Sequence, residues 1–318
     1  MKYLILFFVF FCYSCNEVKP SKAPIENSEK SGVELVVLGT VQDGGAPHIG
    51  CVKSCCAELW DNPDETLKVV SLGVIDHDND EVYIFEATPD FPEQLGMLNE
   101  VANRPKSQMP NGIFITHAHI GHYTGLMFLG REAKGSKNVP VYTMPKFHSF
   151  LSSNGPWDQL VKLENIKLIS IHNGESVELS KNLKIVPFTV PHRDEYSETV
   201  GFVIEGPKKK ILFIPDIDKW SKWEVDIIEK VKEVDIAYID ATFFDAKEIN
   251  NRDISEIPHP FVIESIKLFG ALPDSEKAKI HFIHLNHTNP LLDEKSEAFK
   301  DVIDKGFNIA QFKDRASI

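Results

Sequence analysis

An α/β (α+β) fold of two β-sheets packed face to face, each covered by helices to give four αβ/βα layers, is what this sequence predicts. Three observations lead there. Short β-branched runs cluster first and then alternate with helical stretches, and this order occurs twice along the chain. No fixed-period repeat and no internal linker interrupts residues 33–318, so one domain must carry both sheets. The 318 residues are 42% hydrophobic, 10% aromatic and 25% charged, which excludes disorder or coiled coil for most of the chain.

The first segment is expected to lie outside that domain. Met1-Lys2-Tyr3 precedes an apolar run of eight, Leu4 to Phe11, too short to span a bilayer and shaped like the core of a signal peptide. Ser14 before Cys15, with a polar stretch after it, resembles the lipobox of bacterial lipoproteins, which implies cleavage that leaves Cys15 as a lipidated N-terminus. An apolar first strand buried in the core is the alternative. The tether at residues 19–32, KPSKAPIENSEKSG, has no apolar periodicity and argues against it. Residues 1–14 are thus expected to be a signal peptide, 15–32 a lipid anchor and flexible linker, and 33–318 the folded domain. The protein is expected to be exported to the cell envelope and held at a membrane.

The elements then follow in order. Val33 to Leu38 is a β-branched run stopped by Gly39, and the turn-rich Asp43-Gly44-Gly45-Ala46-Pro47 makes the next stretch a loop. Apolar runs recur at Val69–Ile75 and Glu81–Ala87. Phe91, Leu95, Leu98 and Ala102 then fall at helical spacing. Ile113-Phe114-Ile115 reads as a strand and Tyr123–Arg131 as a helix. Strands follow at Leu183–Val190, Thr199–Glu205 and Lys210–Pro215. The last third alternates: helix Lys219–Lys232, strand Asp235–Ile239, helix near Phe261–Phe269, strand Ile280–His284 and helix near Lys295–Asp304.

Charge narrows the partners. With 34 Lys+Arg against 47 Asp+Glu the net charge is -13, which repels phosphate backbones, and Lys208-Lys209-Lys210 is the single short basic run. A small-molecule substrate is expected and nucleic acid is not.

The histidines carry the chemistry. Thr116-His117-Ala118-His119-Ile120-Gly121-His122 places three imidazoles directly after a buried strand. Residues two apart in extended chain project to one side, so His117 and His119 can converge on one point, while His122 faces a second. His192, Asp216 and His284 each close a later apolar run, where rigid strands deliver side chains to loops. Four strand ends bearing metal-ligand types point to a metal site. Asp43, Asp90 and Asp240 also stand at strand ends, where they line the mouth or serve turns and caps.

His117-x-His119-x-Gly121-His122, with His192, Asp216 and His284 in this order, resembles the metallo-β-lactamase superfamily. Residues 192–203 (HRDEYSETVGFV) resemble its ribonuclease Z and phosphodiesterase branches. Most of the chain after the linker is similar to the pyrroloquinoline-quinone biosynthesis protein B family. That similarity rests on Leu38-Gly39-Thr40, Gly44-Gly45-Ala46-Pro47, Cys51/Cys55/Cys56, Ala87-Thr88-Pro89-Asp90, residues 239–244 (IDATFF) and residues 282–290 (FIHLNHTNP).

The resemblance implies the αβ/βα sandwich, with His117, His119 and His192 on one metal, His122 and His284 on another, and Asp216 bridging. Gly121 stands where the superfamily carries an Asp that ligates the second metal, and Pro215 where Gly is usual. Two outcomes follow. Either the second ion keeps His122, His284 and Asp216, with His287 near enough to help, or only the first site fills and Asp216 becomes a terminal ligand or general base. Imidazoles and a carboxylate suit zinc, and iron or manganese as well.

Cys51, Cys55 and Cys56 follow His48 in the loop after the first strand. The related family has clustered cysteines here that resemble a structural zinc site, with His48 completing a Cys3His set. The alternative is a disulfide from Cys51 to Cys55 or Cys56, leaving one free thiol. His259, in Ile257-Pro258-His259-Pro260, is a candidate for substrate contact alongside Asp216 and His287, or a loop residue. His77, His148, His172 and His281 have no partner pattern.

The expected function is a metal-dependent hydrolase acting on an ester, phosphodiester, lactone or amide. The alternatives are an iron-dependent hydroxylase like the related biosynthesis family and a non-catalytic metal- or ligand-binding lipoprotein.

Overall fold

Val33, Leu35 and Val37 of β1 (Val33–Gly39) face one apolar cluster and Val36 and Leu38 the opposite one; all five are buried. Side chains alternate across a strand, so an apolar run without polar interruption must sit between two cores. The computed structural model describes residues 31–249 and 257–318, and residues 31–318 form one compact unit. Residues 1–30, with the expected signal peptide, most of the linker and the lipidation residue Cys15, lie outside the described residues.

Two seven-stranded sheets repeat one plan. In the first, β1, β2 (Ser71–Asp76) and β3 (Glu81–Phe85) form an antiparallel meander. Parallel pairing then extends it through β4 (Gly112–Phe114), β5 (Val139–Thr143) and β6 (Ile166–Ser170). In the second, β7 (Val177–Ser180), β8 (Leu183–Thr189), β9 (Val200–Glu205) and β10 (Lys210–Ile214) are antiparallel. β11 (Ile236–Asp240), β12 (Ile280–Ile283) and β13 (Asn308–Ile309) follow in parallel. The last strand, β14 (Arg315–Ser317), returns to pair antiparallel with β1, Glu34 opposite Ser317.

Parallel neighbours need crossovers, and helices supply them. After α1 (Ser54–Ala57) in the first loop, the outer face of sheet one receives α2 (Phe91–Val101), α3 (Ile120–Tyr123), α4 (Pro145–Ser153) and α5 (Trp157–Lys162). Sheet two is crossed by α6 (Ile227–Lys232), α7 (Val262–Phe269), α8 (Asp274–Lys277) and α9 (Glu297–Asp304). Three apolar clusters result: one between the sheets and one under each helical layer. In the middle one Phe85 stacks on Phe114 at 5.0 Å and meets Phe202 edge-on at 5.4 Å. Each buried Phe contributes about 1.5–3 kcal/mol relative to exposure.

Two expected helices are shorter than their periodicity suggests. The stretch expected as helix at 219–232 is a 3-10 turn at Trp220–Lys222 followed by α6. Asp226 caps α6 by accepting from the Ile228 amide at 2.8 Å, and the Trp220 and Trp223 indoles donate to Ser265 Oγ and the Thr189 carbonyl. The expected helix at 123–131 is instead α3 and a 3-10 turn, Thr124–Leu129. There the chain presses onto the loop after β3, a Cβ on Gly125 falling 2.2 Å from the Thr88 carbonyl oxygen. Among the described residues no helix is long and apolar enough to cross a membrane.

Candidate metal centre

The centre sits where strands end. β4 runs into His117 and His119, α3 carries His122, and β8 runs into His192. β10 ends two residues before Asp216, and β12 directly before His284. His117 Nε2 lies 3.3 Å, His192 Nε2 3.2 Å and His119 Nδ1 3.8 Å from Asp216 Oδ2. His192 Nε2 and His119 Nδ1 are 3.3 Å apart. One ligand atom from each of His117, His119, His192 and Asp216 falls within 4.8 Å of every other.

A second group shares Asp216. His122, His284 and Asp43 join it within the same 4.8 Å limit, and His122 Nε2 lies 3.9 Å from Asp216 Oδ2. Asp43 Oδ1 stands 3.1 Å from His284 Nε2 and 3.5 Å from His122 Nε2. The expectation of three protein ligands for a second ion is therefore exceeded by one. Asp216 is common to both groups, the position a bridging carboxylate needs.

Neighbouring side chains orient these rings. His117 Nδ1 is 2.8 Å from Thr116 Oγ1, His284 Nδ1 2.8 Å from Thr242 Oγ1 and His192 Nδ1 3.1 Å from Asp218 Oδ1. Fixing the far nitrogen fixes the tautomer and leaves the near one for a metal. His122 Nδ1 faces the fully buried Glu86 at 3.4 Å. His259 Nδ1 sits between Asp216 Oδ1, at 3.1 Å, and Asp240 Oδ2, at 2.9 Å. Burial opposes the charge on His259, and Asp216 and Asp240 outweigh it, holding the imidazole well above its ordinary range. Burial likewise works against ionised Asp216, and His259 and His192 overcome it, keeping the carboxyl well below the usual carboxylate range.

The donor set fits a metal. His117 Nε2 and His122 Nε2, the nitrogens that face the shared interior, are buried and make no hydrogen bond, a costly state for polar atoms unless something binds them. Nitrogen and carboxylate donors in sets of four, with Asp216 counted in both, match zinc, which would take water or substrate only by expanding beyond four ligands.

A third cluster lies in the first loop, and it corrects two expectations. Cys51, Cys55 and Cys56 group with His287, not with His48. His48 stacks on the His287 ring at 4.4 Å, and its backbone N–H, not its imidazole, reaches the thiols by donating to Cys56 Sγ at 3.4 Å. His287, expected near the second ion as a catalytic helper, turns to the thiols instead. All three cysteines are free, with Cys51–Cys55 and Cys55–Cys56 sulfurs 3.9 Å apart. Tetrahedral zinc with 2.3 Å bonds needs about 3.8 Å between sulfurs. Burial, with both neighbouring thiols, pushes Cys55 up to about 12, and burial takes His287 down to about 4, the neutral form a metal requires.

Of the other strand-end acids, Asp90 accepts from the Val69 amide at 2.8 Å and serves the loop, whereas Asp240 supports His259 and accepts from Thr242 Oγ1 at 2.6 Å. The sequence reading missed Glu86, Asp218 and Thr242. Glu86 had a signal, as a lone acid ending an apolar run.

Known proteins share this architecture. Residues 82–282, more than half of the chain, match the model of the Beta-lactamase superfamily domain. A coenzyme PQQ synthesis protein B from Methylorubrum extorquens strain PA1 is 22% identical over 299 residues, covering 87% of this chain and 97% of that protein. The same-named protein of Pseudomonas syringae pv. tomato is 24% identical, covering 87% and 97%. The crystal structure of zinc-bound PqqB from Methylobacterium extorquens superposes with TM-score 0.72 at 20% identity, covering 90% of this chain and 100% of that one. A diphosphatase of the PhnP family superposes with TM-score 0.59 at 20% identity, covering 89% and 96%. The matched span and the sandwich agree, and the chain belongs to the beta-lactamase superfamily.

Proposed function

We propose that this protein is a metal-dependent hydrolase of small molecules, with an ester, phosphodiester, lactone or amide as the scissile bond. The observation that carries the reading is Asp216 Oδ2 within 3.9 Å of His117, His119, His122 and His192, with His117 Nε2 and His122 Nε2 buried and making no hydrogen bond. Zinc held by these residues would polarise a substrate oxygen and lower the pKa of water.

The chain's own groups do the rest. Asp216 ties the two donor groups together and faces His259 with its other oxygen. His259, its Nδ1 held between two carboxylates, keeps Nε2 free to give a proton to a leaving group. Asp218, Thr242 and Glu86 keep His192, His284 and His122 aimed inward. Iron is the second reading: a site built of imidazoles and carboxylates also suits it, and the chain is similar to proteins named for coenzyme PQQ synthesis. Small-molecule hydroxylation is then the expected chemistry.

The apolar run at residues 4–11 and Cys15 further support export and lipid anchoring at a membrane. Palmitate labelling that disappears in Cys15→Ala checks this.

The test of the main reading is elemental analysis of the protein from residue 33 onward, with turnover of an ester, phosphodiester, lactone and amide panel before and after chelation. Zinc beyond the sulfur cluster and hydrolysis abolished by chelation are expected. Turnover that needs iron and O2 selects the hydroxylase. Metal confined to the cysteines rejects both.

A further inference from the structure

The structure assigns to Asp43 the carboxylate of the second ion, delivered through the gap that Gly121 leaves. The assignment rests on the metal-centre reading and adds to it which residue completes the second group and why its neighbour is glycine.

Three observations carry it. Asp43 Oδ1 lies 3.1 Å from His284 Nε2 and 3.5 Å from His122 Nε2, so the carboxylate points at the two imidazoles that otherwise share only Asp216. A Cβ built on Gly121 would fall 2.1 Å from Asp43 Cβ, 2.4 Å from its Cα and 2.8 Å from its Cγ. Positions 43 and 121 are therefore two origins for one side chain, and only one can be filled. Even alanine at 121 would drive the Asp43 backbone aside.

The Asp43 loop is fixed, not draped. Val41 bridges Leu285 in parallel, and the Gln42 amide donates to the Leu285 carbonyl at 2.9 Å. This places Asp43 beside His284 by backbone pairing alone. Gln42 Nε2 donates to Asp43 Oδ1 at 2.8 Å and holds the carboxylate in its rotamer. Among the described residues Asp43 is the one member of either His/Asp group that comes from the chain before β2.

The test is zinc stoichiometry and competition with a chromogenic chelator for wild type, Asp43→Asn, Gly121→Asp and the exchange variant Asp43→Gly/Gly121→Asp, each checked for folding by circular dichroism. Asp43→Asn preserves shape and should hold one zinc fewer than wild type, with the sulfur-cluster ion and the ion at His117 retained. Gly121→Asp alone should destabilise the fold through the collision. In the exchange variant the collisions with Cβ and Cγ are gone, but the 2.4 Å approach to the backbone Cα of residue 43 must still be relieved by a backbone shift; where circular dichroism shows the native fold, the lost zinc should return. Wild-type stoichiometry in Asp43→Asn overturns the assignment while leaving the metal centre intact. No zinc beyond the cysteines in wild type overturns the centre and the assignment together. A folded exchange variant still one zinc short overturns the equivalence of the two positions.

Discussion

The His/Asp centre and the cysteine cluster present donors to metals in opposite ways. The first is built from strand ends, and His117, His122 and His284 are wholly buried. The second is built from one loop plus His287, with Cys51 and Cys55 half-buried and Ile49 and Val52 beside them more than four-fifths exposed. Four thiol and imidazole donors of its own would close a tetrahedron at the cysteine cluster, whereas each His/Asp group has only three donors of its own and shares the fourth, Asp216, with its neighbour. The cysteine cluster also joins two loops, the one that carries Asp43 and the one that carries His284. We therefore read the first as the place of chemistry and the second as a clamp that positions part of it.

Asp216→Ala is the severest way to break that division. It should remove the ions of both His/Asp groups and abolish turnover, yet leave the cysteine-bound zinc, and metal analysis with activity assays reads both. Retention of the His/Asp ions would deny Asp216 its joining role. Cys56→Ser should do the reverse. It should lose the clamp's zinc and lower the unfolding free energy by about 3–4 kcal/mol where free zinc exceeds the dissociation constant 100- to 1,000-fold. Denaturant titration with and without zinc measures this, and zinc-independent stability equal to wild type would strip the cluster of its clamping role.

Asp218→Ala sharpens the picture inside the first centre. Without its partner at 3.1 Å, His192 should bind metal roughly 10–100-fold more weakly, while the cysteine site is unchanged. Chelator competition separates the two.

The smallest effect concerns neither region. His281 is partly buried, its Nδ1 has no partner, and burial takes the imidazole down from 6.5 to about 4. The unfolded chain binds this proton first as pH falls. Stability present above 6.5 is therefore lost progressively towards pH 4, about 1–2 kcal/mol of it by about pH 5. His281→Gln should flatten that slope, read as the wild-type minus variant difference in unfolding free energy across pH, in which metal loss common to both cancels.

The legible parts of the sequence are those where one residue type does one job. Apolar runs closed by His117, His192, Asp216 and His284 announced both the strand ends and the ligands. Strands β5 and β6 and helices α4 and α5 gave no clear pattern: Pro140 interrupts one run, and in β6 only Ile166 is buried, with Lys167 and Ser170 exposed. His48 stands three residues from Cys51, yet the donor is His287, because backbone pairing between the first loop and the end of β12 decides which imidazole meets the sulfurs. Asp43 stood among the strand-end acids at the mouth, and its place as a ligand was hidden for the same reason. In a turn-rich loop an Asp reads as a turn residue, and Gly121 reads as a missing ligand when it is room for one supplied from elsewhere.

The contact of Asp43 with His284 spans 241 residues. Closing so long a loop costs chain entropy that grows as the logarithm of its length, and it can be met only after both sheets have formed and docked. The second ion thus binds late, to a finished molecule. A truncated or half-folded chain could hold zinc at its cysteine loop weakly, and at His122 hardly at all. Full metal loading is in this sense a record of completed folding.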